Sequence, residues 1–425
     1  MLLAIGKMAG ATGIGQLAIL ATLPIVARLY DPSSFGLFAL VSSFVGVGSV
    51  GACLCLDVAI VQSRTSEAAD ELCAAALLSV PLTVMVSALI MSVVIAIGWF
   101  GYDKLSYWSV PIAALMIGLN GVYIASRYRV LREQRYDVLA RATLVQNSGR
   151  AIAPIGWGVV LPDWTGLSLG EASGRMLGIW GLLRPILPRL RANAAWGDFG
   201  SWSRVIRRES SYTVVLLGSV LMDSTASLLI APLLAWGYGA AAAGEYFVVA
   251  NVLVAPSALL GTAIADVIHT RGARLYMDSP RDLPGFLGRM AFWLLVAGSA
   301  IYLPVYVLAP VVFPVVFGAE WKLIALIAQA MTPFMIVAFV ASPCARMLFA
   351  VGRTGWKALS DLIRLLGTPA VMIAATRSDL PFETAIWVLT WFLAAAYAVY
   401  FGLTYHATVK ASRRLSLDAT EIKGH

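Results

Sequence analysis

The sequence predicts an all-α polytopic membrane protein of about twelve transmembrane helices, arranged as two related bundles of six. Three observations predict it. The 425 residues are 60% hydrophobic and 13% charged, where a soluble protein carries about 25% charge, and mean hydropathy is +0.81. Apolar stretches of about 18 residues or more recur along the whole chain, each long enough for ~30 Å of hydrocarbon. Lysine and arginine gather in every second connection, the mark of cytoplasmic loops. A single soluble core does not grow to this size with so few charges. A β-barrel is excluded, because its strands alternate polar and apolar over about ten residues.

The first span, 9–27, follows Lys7 and runs into Arg28 without a small-residue cleavage site. It therefore reads as a transmembrane helix rather than a signal peptide. It stops in "ARLYDPSSFGLFAL" (27–40). Asp31-Pro32 is a turn signal there, and Pro32 biases Asp31 away from the helical region. Further spans are expected at 35–61, 73–98, 108–126, 142–160 and 166–183. The longest connection, 184–211, is basic and lies near the midpoint of the chain. The second set follows at 212–235, 245–268, 290–316, 324–349, 358–375 and 384–405. The expected domains are thus two six-helix bundles, 1–190 and 212–406, with a linker at 191–211 and a tail at 407–425.

With the N-terminus inside, 23 of the 31 lysines and arginines fall on the cytoplasmic side and four (Arg28, Lys104, Lys322, Arg377) on the other. Both termini are then cytoplasmic. The net charge of +8 is explained by this asymmetry and needs no nucleic-acid partner. Trp99, Tyr107, Trp108, Trp164, Trp236, Tyr238 and Trp321 sit at external span ends and fit an interfacial aromatic belt. Cys53, Cys55, Cys73 and Cys344 lie in or beside apolar runs and read as small apolar residues. The three histidines are scattered, so no metal and no cofactor is expected.

The halves look related. "FGLFALV" opens the second span and "AGEYFVVA" the eighth, with Gly36 and Gly244 at matching places. Arg127 and Arg346 close the fourth and tenth spans. Parallel repeats of this kind are common in secondary transporters. No P-loop occurs, since "GKMAGATG" has the glycines without the order. No long external loop carries paired acids, and no nucleophile–base pair stands out. By elimination the chain moves something across the membrane rather than acting as an enzyme.

The four other basic residues, Arg150, Arg175, Arg346 and Arg364, lie inside spans, as do Glu171, Asp223 and Asp361. A charge at a helix centre costs at least ~2.5–3.5 kcal/mol on insertion scales, so each faces a cavity or a partner. The arginines are the candidate substrate-binding residues, because a guanidinium fork matches an anion such as phosphate. The acids are candidate counter-ions or coupling residues. Bland readings stand beside these. Glu171 and Arg175, at i and i+4, can neutralise each other, with Gly170, Gly174 and Gly178 as a close-packing seam. Arg346 can snorkel to the surface. Arg150, in the polar patch "VQNSGRAIAP", has no partner on its own helix. Asp223 is either its counter-ion or a protonatable coupling site.

Four motifs, in order, resemble one family: "ARLYDPSSFGLFAL", "DVAIVQSRTSEAADEL", "AGEYFVVANVLVAPSALLGTAIADVI" and "VVFGAEWKLIALIAQAMTPF". They are similar to segments of the polysaccharide-export flippases of the multidrug/oligosaccharidyl-lipid/polysaccharide (MOP) superfamily. The resemblance implies a V-shaped pair of six-helix bundles around a central cavity, in a bacterial inner membrane. It implies an anionic partner, a polyprenyl-diphosphate-linked oligosaccharide, carried by alternating access from the cytoplasmic to the periplasmic leaflet. Membrane lipids, and other membrane proteins of glycan assembly, are the further partners it suggests. A cation-coupled multidrug antiporter of the same superfamily, with Asp223 binding H⁺ or Na⁺, is the alternative. A non-transporting scaffold of a glycan-assembly complex is a third reading.

Overall fold

The computed structural model describes residues 2–192, 199–353 and 355–423. Among them the chain is helical, with no strand. The first helices are α1 (Leu2–Leu29), α2 (Pro32–Gly51), α3 (Leu56–Gln62), α4 (Ser66–Ile97), α5 (Ser109–Arg132), α6 (Tyr136–Val160) and α7 (Trp164–Ala192). Then come α8 (Phe199–Leu228), α9 (Ile230–Tyr238), α10 (Ala240–Asp278) and α11 (Leu283–Phe317). The last are α12 (Ile324–Cys344), α13 (Met347–Ala350), α14 (Gly355–Arg377) and α15 (Phe382–Lys423).

Ten segments of the described residues are long and apolar enough to cross a membrane. Two further helices, α6 and α7, have 25 and 29 residues but a lower hydropathy. These are the helices that carry Arg150, Glu171 and Arg175.

The Asp31-Pro32 signal does what the sequence suggests. Asp31 caps α2, its side chain accepting from the Ser34 N–H at 3.2 Å, and Pro32 supplies the first helical residue. Three expected spans are each built from two pieces. The second breaks after Gly51, where Leu54 and Cys55 take positive φ, and resumes as α3. The seventh divides between α8 and α9, and the tenth between α12 and α13. Apolar composition hides the first two breaks; at the third, Pro343 and Arg346 stand beside the gap between α12 and α13. The helix bearing the seventh span starts at Phe199, inside the stretch read as a linker, and residues 193–198 of that stretch lie outside the described ones.

Contacts divide the chain into two units, 1–248 and 249–425. In the first, small residues let helices close in. Ala69, Ala74 and Ala76 of α4 pack with Ile60, Leu139, Leu182 and Val205 in one buried cluster. The Cys53 thiol donates to the Gly121 carbonyl at 3.3 Å, and all four cysteines are buried and unbridged. The first turns of α2 and α10 cross on glycine. A Cβ on Gly36 would stand 1.8 Å from the Ala240 carbonyl oxygen, and one on Gly244 would stand 1.9 Å from that of Pro32.

In the second unit, α11, α12 and α15 pack together. Tyr302 and Phe339 are buried between α11 and α12, ring centroids 6.1 Å apart. Trp99, Tyr107 and Trp108 are exposed, as a belt requires, but Trp321 is buried against Phe317. Trp321 is therefore a packing residue and not part of the belt.

Candidate functional site

Glycines bring α7 onto α6. A Cβ on Gly174 would lie 2.3 Å from the Arg150 backbone nitrogen, one on Gly170 2.6 Å from the Pro154 Cα, and one on Gly178 2.6 Å from the Gln146 Cβ. This seam sets the polar patch of α6 directly against the charged turn of α7. Arg150 Nε donates to Glu171 Oε1 at 2.7 Å. Arg175 donates to the same oxygen through Nε at 2.9 Å and stands 2.7 Å from it through Nη2.

The cluster continues across the first unit. Arg175 Nη1 donates to the Asn120 side-chain carbonyl on α5. Asn120 Nδ2 donates to Ser49 Oγ on α2 at 2.7 Å. Four helices are thus tied by one chain of polar groups around two cations and one anion, a net charge of +1. Two guanidiniums on one carboxylate oxygen share a single counter-charge, which leaves an excess of positive potential. Arg150 spends only its Nε on this contact. Its Nη donors have no partner among the described residues, and 29% of its side-chain surface is open.

The counter-ion of Arg150 is therefore Glu171, not Asp223. Sequence spacing pairs residues on one helix, and it found the Glu171–Arg175 couple. It did not show that the glycine seam delivers the same carboxylate to α6. Asp223 lies half-buried on α8, its main-chain carbonyl accepting from Ser227 Oγ at 2.9 Å.

The second unit repeats the arrangement of two cations on one acid. On α14, Lys357 Nζ reaches Asp361 Oδ2 at 2.6 Å, and Arg364 Nη2 reaches Asp361 Oδ1 at 2.6 Å. Arg364 Nη1 donates to the Tyr397 hydroxyl of α15 at 3.0 Å, with its guanidinium 5.1 Å from that ring's centroid. Asp361 and Arg364 are buried. Arg346 follows α12 and is separate from them. It is exposed, stacks loosely on Phe349 at 5.9 Å, and lines a cavity of about 340 Å³ together with Tyr397.

One cluster escaped sequence reading. Arg129, counted there among cytoplasmic charges, is fully buried. Its Nε meets Asp70 at 2.6 Å, its Nη1 meets Glu133 at 3.0 Å, and its Nη2 donates to Ser66 Oγ at 3.1 Å. Arg132 holds the adjoining turn through Ser63 Oγ at 2.8 Å. The i, i+4 spacing of Arg129 and Glu133 was the available signal; the long-range partner Asp70 had none. Arg129→Met is expected to destabilise the protein by about 2 kcal/mol, below the ~3–5 kcal/mol for half of a fully buried pair. The smaller figure follows because Asp70 and Glu133 keep 14% and 15% of their side-chain surface. Thermal unfolding in detergent measures it, and an unchanged transition would show that the cluster does not hold α4 to α5.

A family model described as polysaccharide biosynthesis protein matches residues 25–326. The chain belongs to that family. The match takes in Arg150, Glu171, Arg175 and Asp223, and it ends before Arg346, Asp361 and Arg364. Known structures share the fold. The lipid II flippase MurJ, in an inward closed conformation, aligns with TM-score 0.72 and 11% identity, over 95% of this chain and 89% of that one. An inward-facing multidrug resistance MATE family transporter of the MOP superfamily aligns with TM-score 0.64 and 12% identity, over 96% and 95%. A MATE transporter from Vibrio cholerae aligns with TM-score 0.61 and 14% identity, over 97% of each. No curated protein sequence matches.

The family and the MOP fold are those the four sequence motifs pointed to. At such identities the structural likeness speaks for the fold. The polysaccharide biosynthesis family supplies the functional setting.

Proposed function

We propose that this protein flips a polyprenyl-diphosphate-linked oligosaccharide from the cytoplasmic to the periplasmic leaflet of a bacterial inner membrane. The observation that carries the reading is the place of its charges. A member of a polysaccharide biosynthesis family keeps two guanidinium groups on a single carboxylate within membrane-length helices, and it shares the fold of a lipid II flippase. Arg150 offers its free Nη pair to the diphosphate. Glu171 holds Arg150 and Arg175 in place between substrates. The sugars take the polar interior, and the lipid tail stays in the bilayer. Alternating access then exposes the head group on the other side.

The test is direct. Proteoliposomes containing the lipid-linked substrate should flip it when this protein is present, and Arg150→Ala should abolish flipping while the folded protein persists. Arg150→Lys should restore only a small fraction, because a point charge replaces the fork. If wild-type protein moves no lipid-linked glycan but exchanges cations for drugs, the antiport reading takes its place.

The orientation has its own check. Reporter fusions after Ser106 and Ala240 should read external, and fusions after Arg191 and Ala411 internal. A reversed signal at Arg191 would break the two-bundle reading.

A further inference from the structure

Of the four arginines inside spans, Arg150 and Arg175 sit on Glu171, and Arg364 sits on Asp361. Arg346 has no carboxylate within ion-pair distance among the described residues, and it lines a cavity. An unneutralised cation at membrane depth is costly. Here it faces about 340 Å³ of open space, at the small end of the ~300–1,000 Å³ range of small-molecule sites.

The walls of that cavity have a definite chemistry. Phe334, Phe339 and Tyr397 contribute aromatic surface, and Phe334 meets Tyr397 edge-on with centroids 5.5 Å apart. The Tyr397 ring is held by Arg364. Ser257 presents an acceptor. The Tyr302 hydroxyl donates its single proton to the Leu253 carbonyl at 2.9 Å. The contact of 2.9 Å between Ser257 and Tyr302 must then be donated by Ser257. With its proton turned away, the Ser257 oxygen faces the cavity as an acceptor for a ligand hydroxyl. Ser342 adds a second hydroxyl. Gly261 leaves the space open: a Cβ built there meets nothing within 4 Å.

A cation with a bidentate fork, aromatic surface and hydroxyl acceptors in a space of this size fit one sugar ring with an attached anion. We propose that this cavity binds the sugar–phosphate junction of the carried molecule, with Arg346 on the phosphate and the pyranose ring against the aromatic wall. The assignment rests on the lipid-linked glycan reading above and gives that substrate a second point of attachment, apart from Arg150. A carboxylated sugar within the glycan presents the same chemistry from a different source.

The full-length protein in nanodiscs decides it, by calorimetry and saturation-transfer NMR with four probes: glucose 1-phosphate, glucuronate, glucose and inorganic phosphate. Glucose 1-phosphate should bind. Arg346→Gln should weaken it at least tenfold, and Arg346→Lys should recover part of that. Gly261→Leu, which fills the space and leaves the Arg346 guanidinium in place, should weaken it as much, with an unchanged unfolding temperature. Glucuronate matching glucose 1-phosphate would support the site and make an acidic sugar its source. Glucose or inorganic phosphate binding as tightly as glucose 1-phosphate would overturn it. No binding by the wild-type protein, or binding untouched by both Arg346→Gln and Gly261→Leu, would also overturn it. The flipping assay keeps the two readings apart. Flipping without probe binding sinks the cavity alone, and absence of flipping by the wild-type protein sinks the transport reading alone.

Discussion

Gly36→Ala is expected to remove folded protein from the membrane, and Gly244→Ala to do the same. The Cβ added at Gly36 would stand 1.8 Å from the Ala240 carbonyl oxygen, and the one at Gly244 would stand 1.9 Å from the Pro32 oxygen and 2.7 Å from the Gly36 nitrogen. Both obstacles are main chain of the opposing helix, so no rotamer change relieves them. Ordinary overpacking costs about 1–3 kcal/mol because side chains give way. Here α2 and α10 must separate, and a loss above ~4 kcal/mol is expected. Phe38 and Phe247, in edge contact at 5.5 Å a fraction of a turn further on, would lose their packing with it. Fluorescence-detected size exclusion of tagged protein measures the outcome. Gly156→Ala and Gly218→Ala are the controls, since a Cβ at either meets nothing within 4 Å. Wild-type yield and unfolding temperature in both Gly36→Ala and Gly244→Ala would refute the crossing.

The same pair shows how far the sequence is legible. Gly36 and Gly244 stand out as matching positions of two related halves, and the structure makes them reciprocal. Each glycine lies against the carbonyl four residues before the other, Pro32 for one and Ala240 for the other. Similarity along the chain revealed equivalence, but contact is a three-dimensional property that one sequence does not encode at any fixed spacing. Spans and turns were legible because hydropathy and Asp31-Pro32 are local quantities. The breaks at Leu54–Cys55 and at Leu229 were not, because they occur inside uniform apolar composition. Within the candidate site, the i, i+4 couple of Glu171 and Arg175 was legible. The reach of Glu171 to Arg150 and the pairing of Asp70 with the buried Arg129 both depend on neighbouring helices.

Glu171→Gln is expected to destabilise the protein by about 2 kcal/mol, below the ~3–5 kcal/mol for removing one partner of a fully buried ion pair, because the guanidiniums left behind are partly open. The carboxylate keeps only 12% of its side-chain surface, and the two guanidiniums keep 29% and 21%. Glutamine preserves the size and one acceptor oxygen, so the loss reports charge rather than volume. Two cations on adjacent helices then face each other across the glycine seam without a counter-ion, and α6 and α7 are driven apart where Gly174 meets the Arg150 backbone. Adding Arg150→Gln should recover most of the loss, because Arg175 alone still has the Asn120 carbonyl, itself tied to Ser49. Glu171 and Arg150 should therefore show a coupling energy well above the ~0.3–0.5 kcal/mol scatter of independent sites. Arg150→Gln and Asp223→Asn should be additive within that scatter, since the carboxylate on Arg150 is Glu171. Thermal unfolding of the three single and two double variants measures both cycles. Additivity of Glu171 with Arg150, or coupling of Arg150 with Asp223, would return the counter-ion role to Asp223. The recovered double variant should still fail to flip substrate, because its stability is repaired by deleting the guanidinium offered to the diphosphate. Recovery of flipping along with stability would reduce Arg150 to a structural cation and leave the anion to be bound elsewhere.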